Sequence, residues 1–560
     1  MEQIKAPWLS GYGEVPAHLE YPLKTMSGML YDSVSKDPDF TALSFMGRHI
    51  SYKSLAEEIE KVAKAFYAIG VRAGQRVMVC MPNVPQAVYA LYALNRIGAV
   101  ATMVHPLSAV GEIVYYLTEA ECDVAVTLDQ FYSKFLEVKR QQAIGKLIIA
   151  RISDGLSFFK GSAYRLWAER KLPKITVSED VLTWNDFLDK GNSVTGGYAV
   201  AKDPNGEAVV LFSGGTTGTS KGIMLSDMNF NSLALQTGAM CNECVCHSKM
   251  LAAMPVFHGF GLAVCVHTMM VFGGTSILVP RFNVKSYSIL IKKNKPNFIA
   301  GVPTLYEGVS NSKYLDGVDL SCLKGVFSGG DSLTVALKKK FDAFLADHHA
   351  TVRVREGYGT TECTSACCLT PYNKEKEGSI GLPFPDTYFK ICAVGTMEEV
   401  PYGVEGEICL TGPSMMLGYI HHEEENAITL RRHSDGRVWL HTGDLGIMDD
   451  EGFVYFRQRI KRMIVTSGYN VYPAQVENIL EGHPAVKRAC VIGVPDPYKM
   501  QKVKAFVTLN DGYEDSPMLR ESIMEHCRSN IAKFALPYTI EVLDSIPMTL
   551  VGKVAYSKLS

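Results

Sequence analysis

Residues 213–222 of this 560-residue chain read Ser-Gly-Gly-Thr-Thr-Gly-Thr-Ser-Lys-Gly. Four glycines, five hydroxyls and one lysine in so short a span make an anion cradle. Glycines let backbone N–H groups converge on an anion. The hydroxyls add neutral donors, and Lys221 brings a mobile positive charge for the terminal phosphates of a nucleotide. The apolar run 208–212 immediately before reads as a buried strand feeding the loop. A Walker-type loop places Ser or Thr directly after Gly-Lys, where its hydroxyl holds magnesium. Here Ser220 precedes Lys221 and Gly222 follows it, so a P-loop register is absent.

Other short blocks could do chemistry as well: residues 254–260 (MPVFHGF), 357–362 (GYGTTE), 442–444 (TGD), Arg459, and 547–553 (PMTLVGK). Each has a plain structural reading on its own. Thr-Gly-Asp is a common Asx-type turn, Glu362 reads as a solvated carboxylate, Tyr358 as a core aromatic and Lys553 as a tail lysine. Their joint order and spacing resemble those of the adenylate-forming enzymes, a superfamily of acyl-CoA synthetases, adenylation domains and luciferases. The likeness runs along nearly the whole chain.

That resemblance implies attack of a carboxylate on the α-phosphorus of ATP, release of pyrophosphate, and an acyl-adenylate that then passes to a thiol. Both reactants are anions, so positive charge must stand where charge builds up. The resemblance assigns Ser213, Gly214, Gly215, Thr216, Thr217, Gly218, Thr219 and Lys221 to the leaving phosphates, and Gly330, Gly359 and Thr360 to the rest of the nucleotide site. It lays the Tyr358 ring on the adenine face, sets Asp444 on the ribose hydroxyls with Arg459 nearby, gives Thr361 the α-phosphate and makes Glu362 the ligand of Mg2+. Lys553 becomes the catalytic lysine, a compact charge on a flexible stem that bridges carboxylate and phosphate oxygens. CoA is the implied thiol, reached past Ser467, Gly468 and Tyr469 once a small domain has swung and withdrawn the lysine. The hinge departs from the family pattern, with Gln458 in place of a glycine and Arg462 in place of an acid.

Phe257, His258, Val302, Gly329 and Gly357 are the implied acyl pocket. Amino acid-activating domains carry an Asp in the segment that here reads Phe257-His258-Gly259, which disfavours an amino acid. Small residues and an apolar wall suit a medium- or long-chain fatty acid, while His258 could stack on an aryl acid. Three ligase readings stay open: a fatty acid–CoA ligase, which is favoured, an acyl-AMP ligase that loads a carrier protein, and an aryl acid–CoA ligase. A non-catalytic ATP-binding or regulatory protein is the alternative from another class, which the presence of Glu362, Asp444 and Lys553 disfavours.

The elements around these motifs alternate. Apolar runs at 77–81, 99–104, 124–128 and 147–150 read as buried strands, and 85–97 as a helix. Ser54 and Glu57 form a capping-box pattern ahead of Leu55, Ile59, Val62 and Phe66. The fold class expected is a large α/β domain, residues 1–460, with mainly parallel sheets covered by helices. Residues 458–463 read as a polar connector to a small mobile α+β domain, 461–560, with helices at 473–481 and 519–534 and strands at 489–493, 505–509 and 539–543.

Composition bounds the rest. Hydrophobic residues make up 47% and charged residues 20%, as in a globular enzyme, and a net charge of −2 offers nucleic acid no electrostatic footprint. Scattered cysteines, 14 in all, and an N-terminus without a signal pattern favour the cytoplasm. Cys241, Cys244, Cys246 and His247 have zinc-like composition but lack the second ligand pair of a structural site. Residues 251–279 carry no charged side chain, yet Pro255, His258, His267 and several glycines interrupt them, so a buried helix and strand are expected there rather than a membrane span. Residues 158–174 mix Phe158, Phe159, Tyr164 and Trp167 with five basic residues and the single acid Glu169. That mixture fits either a helix packed on its own domain or one lying on an anionic membrane.

Overall fold

The computed structural model describes residues 5–213, 220–466, 469–471, 473–549 and 554–559. Two sheets carry the α/β pattern. In the first, Arg76–Cys80 lies between Val100–Met103 and Val124–Leu128, with Lys146–Ala150 and Val181–Thr183 beyond, all parallel. On the other side Glu207–Phe212 runs parallel to Val100–Met103. It then returns as the antiparallel strand Gly222–Ser226, so the glycine-rich segment is the connection of a hairpin. The second sheet sets Val354–Tyr358, Gly325–Ser328, Phe298–Gly301, Lys249–Ala252, Thr275–Leu278 and Thr41–Phe45 side by side, again parallel.

The helix Pro85–Arg96 takes Pro85 in its first turn and is buried on all sides, as an apolar helix between layers must be. The helix Tyr52–Ala68 is capped by Ser51, whose hydroxyl accepts from the Ser54 N–H at 3.2 Å, not by the expected Ser54. Its face of Leu55, Ile59, Val62 and Phe66 is fully buried as the spacing requires. The charge-free run holds the expected helix, in two segments, a π-helical Phe260–His267 and the helix Thr268–Phe272, then the expected strand Thr275–Leu278, and it begins within a further strand, Lys249–Ala252. His267 is core, hydrogen-bonded to Tyr92 at 2.8 Å and Asn231 at 2.9 Å, and burial lowers its pKa to about 3. No helix among the described residues is long and apolar enough to cross a membrane.

A third, antiparallel sheet joins Tyr388–Cys392, Gly406–Thr411, Val438–Met448 and Leu430–Arg432, with Val454–Arg459 paired to Val438–Met448. Gln458, expected in an exposed connector, is instead a buried residue of that last strand. After the single turn Ile460–Arg462 the chain enters a fourth sheet. There Tyr469–Val471, Ile464–Thr466, Met500–Leu509 and Val486–Asp496 are antiparallel, and Thr539–Val542 lies parallel to Met500–Leu509. Helices Pro473–Glu481 and Pro517–Asn530 cover it over a separate apolar cluster that includes Ile464, Leu480, Val491, Val507 and Ile523.

Candidate active site

Strands of both large sheets end at one cavity of about 1070 Å³. Met103 and Val104, Phe212 and Ser213, Ser328 to Gly330, and Tyr358 all line it from the carboxyl ends of their strands, the edge where open α/β sheets take ligands. Arg462, Met548, Thr549, Val554 and Tyr556 supply the wall from the C-terminal unit. Met548 pairs with Val554 in an antiparallel bridge. Lys553, like 214–219, Ser467 and Gly468, lies outside the described residues, but Thr549 and Val554 on either side of its segment both face the cavity.

Tyr358 closes its strand and donates its hydroxyl to Asp444 Oδ2 at 2.7 Å. Asp444 is 2% exposed and stands directly opposite Arg459 across two antiparallel strands, with Nε 3.4 Å from Oδ1. That carboxylate raises the Arg459 pKa. Burial and the same carboxylate push the Tyr358 hydroxyl well above its ordinary range, so it stays a donor. The turn before Asp444 is built for it. Gly443 has φ +69°, its N–H donates to Glu407 Oε1 at 2.9 Å, and the Asp444 N–H donates to Thr442 Oγ1 at 3.1 Å. His441 holds the other Glu407 oxygen at 2.8 Å. Burial raises the Glu407 pKa, but hydrogen bonds from His441 and Gly443 outweigh it and leave the carboxyl below its usual value.

The hairpin is pinned at its base. Lys221 N–H donates to Ser213 Oγ, and Ser213 N–H to the Lys221 carbonyl, both at 3.0 Å. The Tyr115 hydroxyl donates to the Ser220 carbonyl at 2.8 Å. Strand Gly418–Tyr419 pairs with Gly222–Ser226, which brings the Tyr419 ring within 5.1 Å of Lys221 Nζ. The same Tyr419 donates its hydroxyl to Glu362 Oε1 at 2.9 Å. One tyrosine therefore ties the cation of the glycine-rich hairpin to the carboxylate of the 357–362 block.

The acyl-side residues divide. Phe257, His258, Gly329 and Gly357 line the cavity, and the Phe257 ring lies 4.2 Å, centre to centre, from the His105 ring at a tilt of 42°. The Phe260 N–H donates to His258 Nδ1 at 3.2 Å. Val302 is not among the lining residues: it precedes the helix Pro303–Ser310 and packs into the cluster with Leu305. Gly329 and Gly357 owe their identity to packing as well as to space, since a Cβ on either would stand 3.2 Å from a neighbouring carbonyl oxygen. Gly330 has φ +82°. Gly359, Thr360, Thr361 and Glu362 complete the wall. A Cβ on Gly359 would fall 1.6 Å from the Ser365 carbonyl oxygen, so only glycine fits between Tyr358 and Thr360. Gly359→Ala is expected to displace both neighbours and lower kcat/KM by about 100-fold, measured as turnover of purified variant beside wild type.

Glu356 also borders the cavity, deep enough that burial raises its pKa to about 7, against a hydrogen bond from the Leu333 N–H at 3.2 Å that acts the other way. Between pH 4.5, its ordinary value, and about 7 the folded chain keeps a proton that the unfolded chain releases. Stability from this group is therefore full below pH 4.5 and falls as pH rises to 7. Glu356→Gln is expected to flatten that fall, read as the wild-type-minus-variant difference in urea midpoint at pH 5 and pH 8.

Sequence reasoning missed Tyr419, Glu407 and His441, which belong to no local motif and reach the site through strand pairing. The zinc-like cluster does not assemble. Cys241 is buried at a helix end, Cys244 and Cys246 are exposed, and His247 is bonded to Asp37 at 2.7 Å. Among the described residues the grouping with ligand-like spacing is Glu407, Cys409 and His441, and its imidazole–carboxylate hydrogen bond already serves the Asp444 turn. Tyr469 begins the strand Tyr469–Val471 and pairs with Thr466. Arg462, expected at a hinge, stacks 3.7 Å from the Tyr556 ring and contacts Glu477 Oε1 at 2.6 Å.

Comparison with known proteins agrees with this geometry. Residues 30–420 match the model of the AMP-binding enzyme family, and 475–553 that of the AMP-binding enzyme C-terminal domain. A long-chain-fatty-acid–CoA ligase of Bacillus subtilis is 33% identical over 567 aligned positions, covering 100% of this chain and 98% of the relative. One from Escherichia coli O6:H1 is 30% identical, covering 99% and 98%. ATP-bound MatB from Rhodopseudomonas palustris superposes with a TM-score of 0.82 over 96% of this chain and 98% of its own, at 24% identity. The chain belongs to the AMP-binding enzyme family, the adenylate-forming fold with its C-terminal unit.

Proposed function

We propose that this protein joins ATP to a long-chain fatty acid, releases pyrophosphate, and passes the acyl group from the adenylate to CoA. The observation that carries the reading is the meeting of two kinds of wall in one cavity. Tyr358, Asp444, Arg459, Thr361 and Glu362 line it with polar groups, and Phe257, Phe260, Val264, Phe327, Ile380 and Phe384 line it with apolar ones. At about 1070 Å³ the space exceeds a typical single-ligand pocket of roughly 300–1,000 Å³, leaving room for a nucleotide and a chain together. Each methylene buried against the apolar wall contributes about 0.8 kcal/mol. The names of the Bacillus and Escherichia relatives point to the same substrate class.

In this reading a carboxylate oxygen attacks the α-phosphorus, an O–P bond forms, and the bond to pyrophosphate breaks. The Tyr358 ring lies along adenine and Asp444 accepts from the ribose hydroxyls, oriented by Arg459. Lys221 and the hairpin take the departing phosphates, Thr361 donates to the α-phosphate, and Lys553 bridges the two reacting anions. Glu362, an oxygen ligand at the cavity wall, fits Mg2+, which would neutralise phosphate charge when bound. The thiol of CoA then attacks the acyl carbonyl and AMP leaves. The unit after residue 460 turns about the segment 460–463 between the two steps, exchanging Lys553 for the face of Ser467, Gly468 and Tyr469.

A panel of acids from acetate to palmitate, with benzoate and cinnamate, tests this in acid-dependent ATP–pyrophosphate exchange. Exchange should be fastest with the long chains, and thioester should form with free CoA. Fastest exchange with the aromatic acids, or thioester only on a carrier protein, would move the assignment to one of the other two readings.

A further inference from the structure

The segment 158–174 forms the helix Phe158–Trp167 and the turn Glu169–Lys171. Its inner face is anchored. A Cβ on Gly161 would stand 2.8 Å from the Ser153 carbonyl oxygen, so the helix lies close against that backbone. Glu169 is buried and accepts from Ser153 N–H at 3.0 Å and Ser153 Oγ at 2.9 Å, while Tyr164 packs against the core. Arg165 spans Asp154 at 3.4 Å and Glu169 at 3.8 Å.

The outer face carries large apolar side chains that the domain does not cover. Phe159, Leu166 and Trp167 are 85%, 75% and 79% exposed, on one stripe at i, i+7 and i+8. Lys160, Arg170 and Lys174 are exposed around them, and the segment's one acid is the buried Glu169. Lys160 also reaches the carbonyl of Gly47, beside the half-exposed Met46.

We propose that this face docks on an anionic bilayer, with Leu166 and Trp167 entering the boundary between headgroups and acyl chains and the basic side chains on lipid phosphates. Charge selects this occupant. A second copy meeting the same face about a two-fold axis would set basic rim against basic rim, whereas an anionic lipid surface is complementary to it. The rigid inner anchor means the helix arrives already folded, without the ordering cost of a disordered segment. This proposal is independent of which acid the cavity accepts.

The test uses the full chain and vesicles of phosphatidylcholine, alone or mixed with phosphatidylglycerol. Trp8, Trp184 and Trp439 are at most 3% exposed, so acrylamide quenching reports on Trp167. The protein is expected to sediment with the anionic vesicles, with Trp167 emission shifted to the blue and shielded from acrylamide, and to be released by salt. Leu166→Ser with Trp167→Ser should lower the vesicle-bound fraction at least about tenfold with an unchanged melting midpoint. Arg170→Ala with Lys174→Ala, which keeps the aromatic, should weaken binding to the anionic vesicles alone. Equal sedimentation of wild type and both variants would overturn the proposal. So would a concentration-dependent dimer lost in the double serine variant without any vesicle binding.

Discussion

Lys553→Ala is expected to lower acid-dependent ATP–pyrophosphate exchange by at least about 100- to 1,000-fold, the scale of removing one preorganised charge from a transition state. Thioester formation from supplied acyl-adenylate and CoA should change far less, because the ammonium is needed only while carboxylate and phosphate approach each other. The expectation follows from the cavity wall, where Thr549 and Val554 flank the segment that carries the lysine. Lys553→Arg should rescue little, since a planar guanidinium does not replace a compact charge. Equal losses in both half-reactions would remove Lys553 from this role.

Asp444→Ala should carry the second-largest effect. The substitution deletes the acceptor of the Tyr358 hydroxyl and the partner of Arg459, and leaves a buried donor and a guanidinium facing an emptied corner. Hydrogen bonds to a charged group are worth about 1.5–3 kcal/mol each, so kcat/KM for ATP should fall on the order of 100-fold or more. Asp444→Asn keeps an acceptor for Tyr358 but not the charge that pairs with Arg459. A loss of about tenfold, mostly in KM, is expected for it. Measuring both variants by ATP titration at saturating acid separates the hydrogen bond from the charge. An unchanged KM in the alanine variant would place the nucleotide elsewhere.

Much of this architecture was legible because parallel strands buried on both faces read as unbroken apolar runs. The run at 124–128 became Val124–Leu128 and that at 77–81 became Arg76–Cys80, one residue early. The helix at 473–481 matched Pro473–Glu481. What stayed hidden depends on pairing between distant segments. The two-residue strand Gly418–Tyr419 is too short to leave a pattern, yet its register against Gly222–Ser226 delivers Tyr419 between Lys221 and Glu362. Gln458 looked like a linker residue because its neighbours are charged, and tertiary burial overrode that local signal. The Ser51 cap was missed by one turn because Ser54 and Glu57 offered a second, equally good spacing. Trp167 was ambiguous for a different reason: composition gives a helix two faces but does not say which one meets the domain.

At the site, the motifs fixed residue types and their order, and strand pairing fixed their partners. Asp444 and Arg459 are fifteen positions apart in sequence and directly opposed across a hairpin. Glu407 supports that hairpin from a third strand. Val302 sits directly before the helix Pro303–Ser310 and packs with the apolar cluster around Leu305, a contact between segments that its local sequence does not show.

The most direct measurement follows the oxygen atoms. Palmitate labelled with 18O in its carboxylate is incubated with ATP, Mg2+, CoA and the enzyme, and the AMP is analysed by mass spectrometry. The account predicts one 18O atom in the AMP phosphate for each thioester formed, because the attacking oxygen stays on phosphorus when the thiol displaces the adenylate. Unlabelled AMP, or ADP appearing with labelled inorganic phosphate, would contradict it.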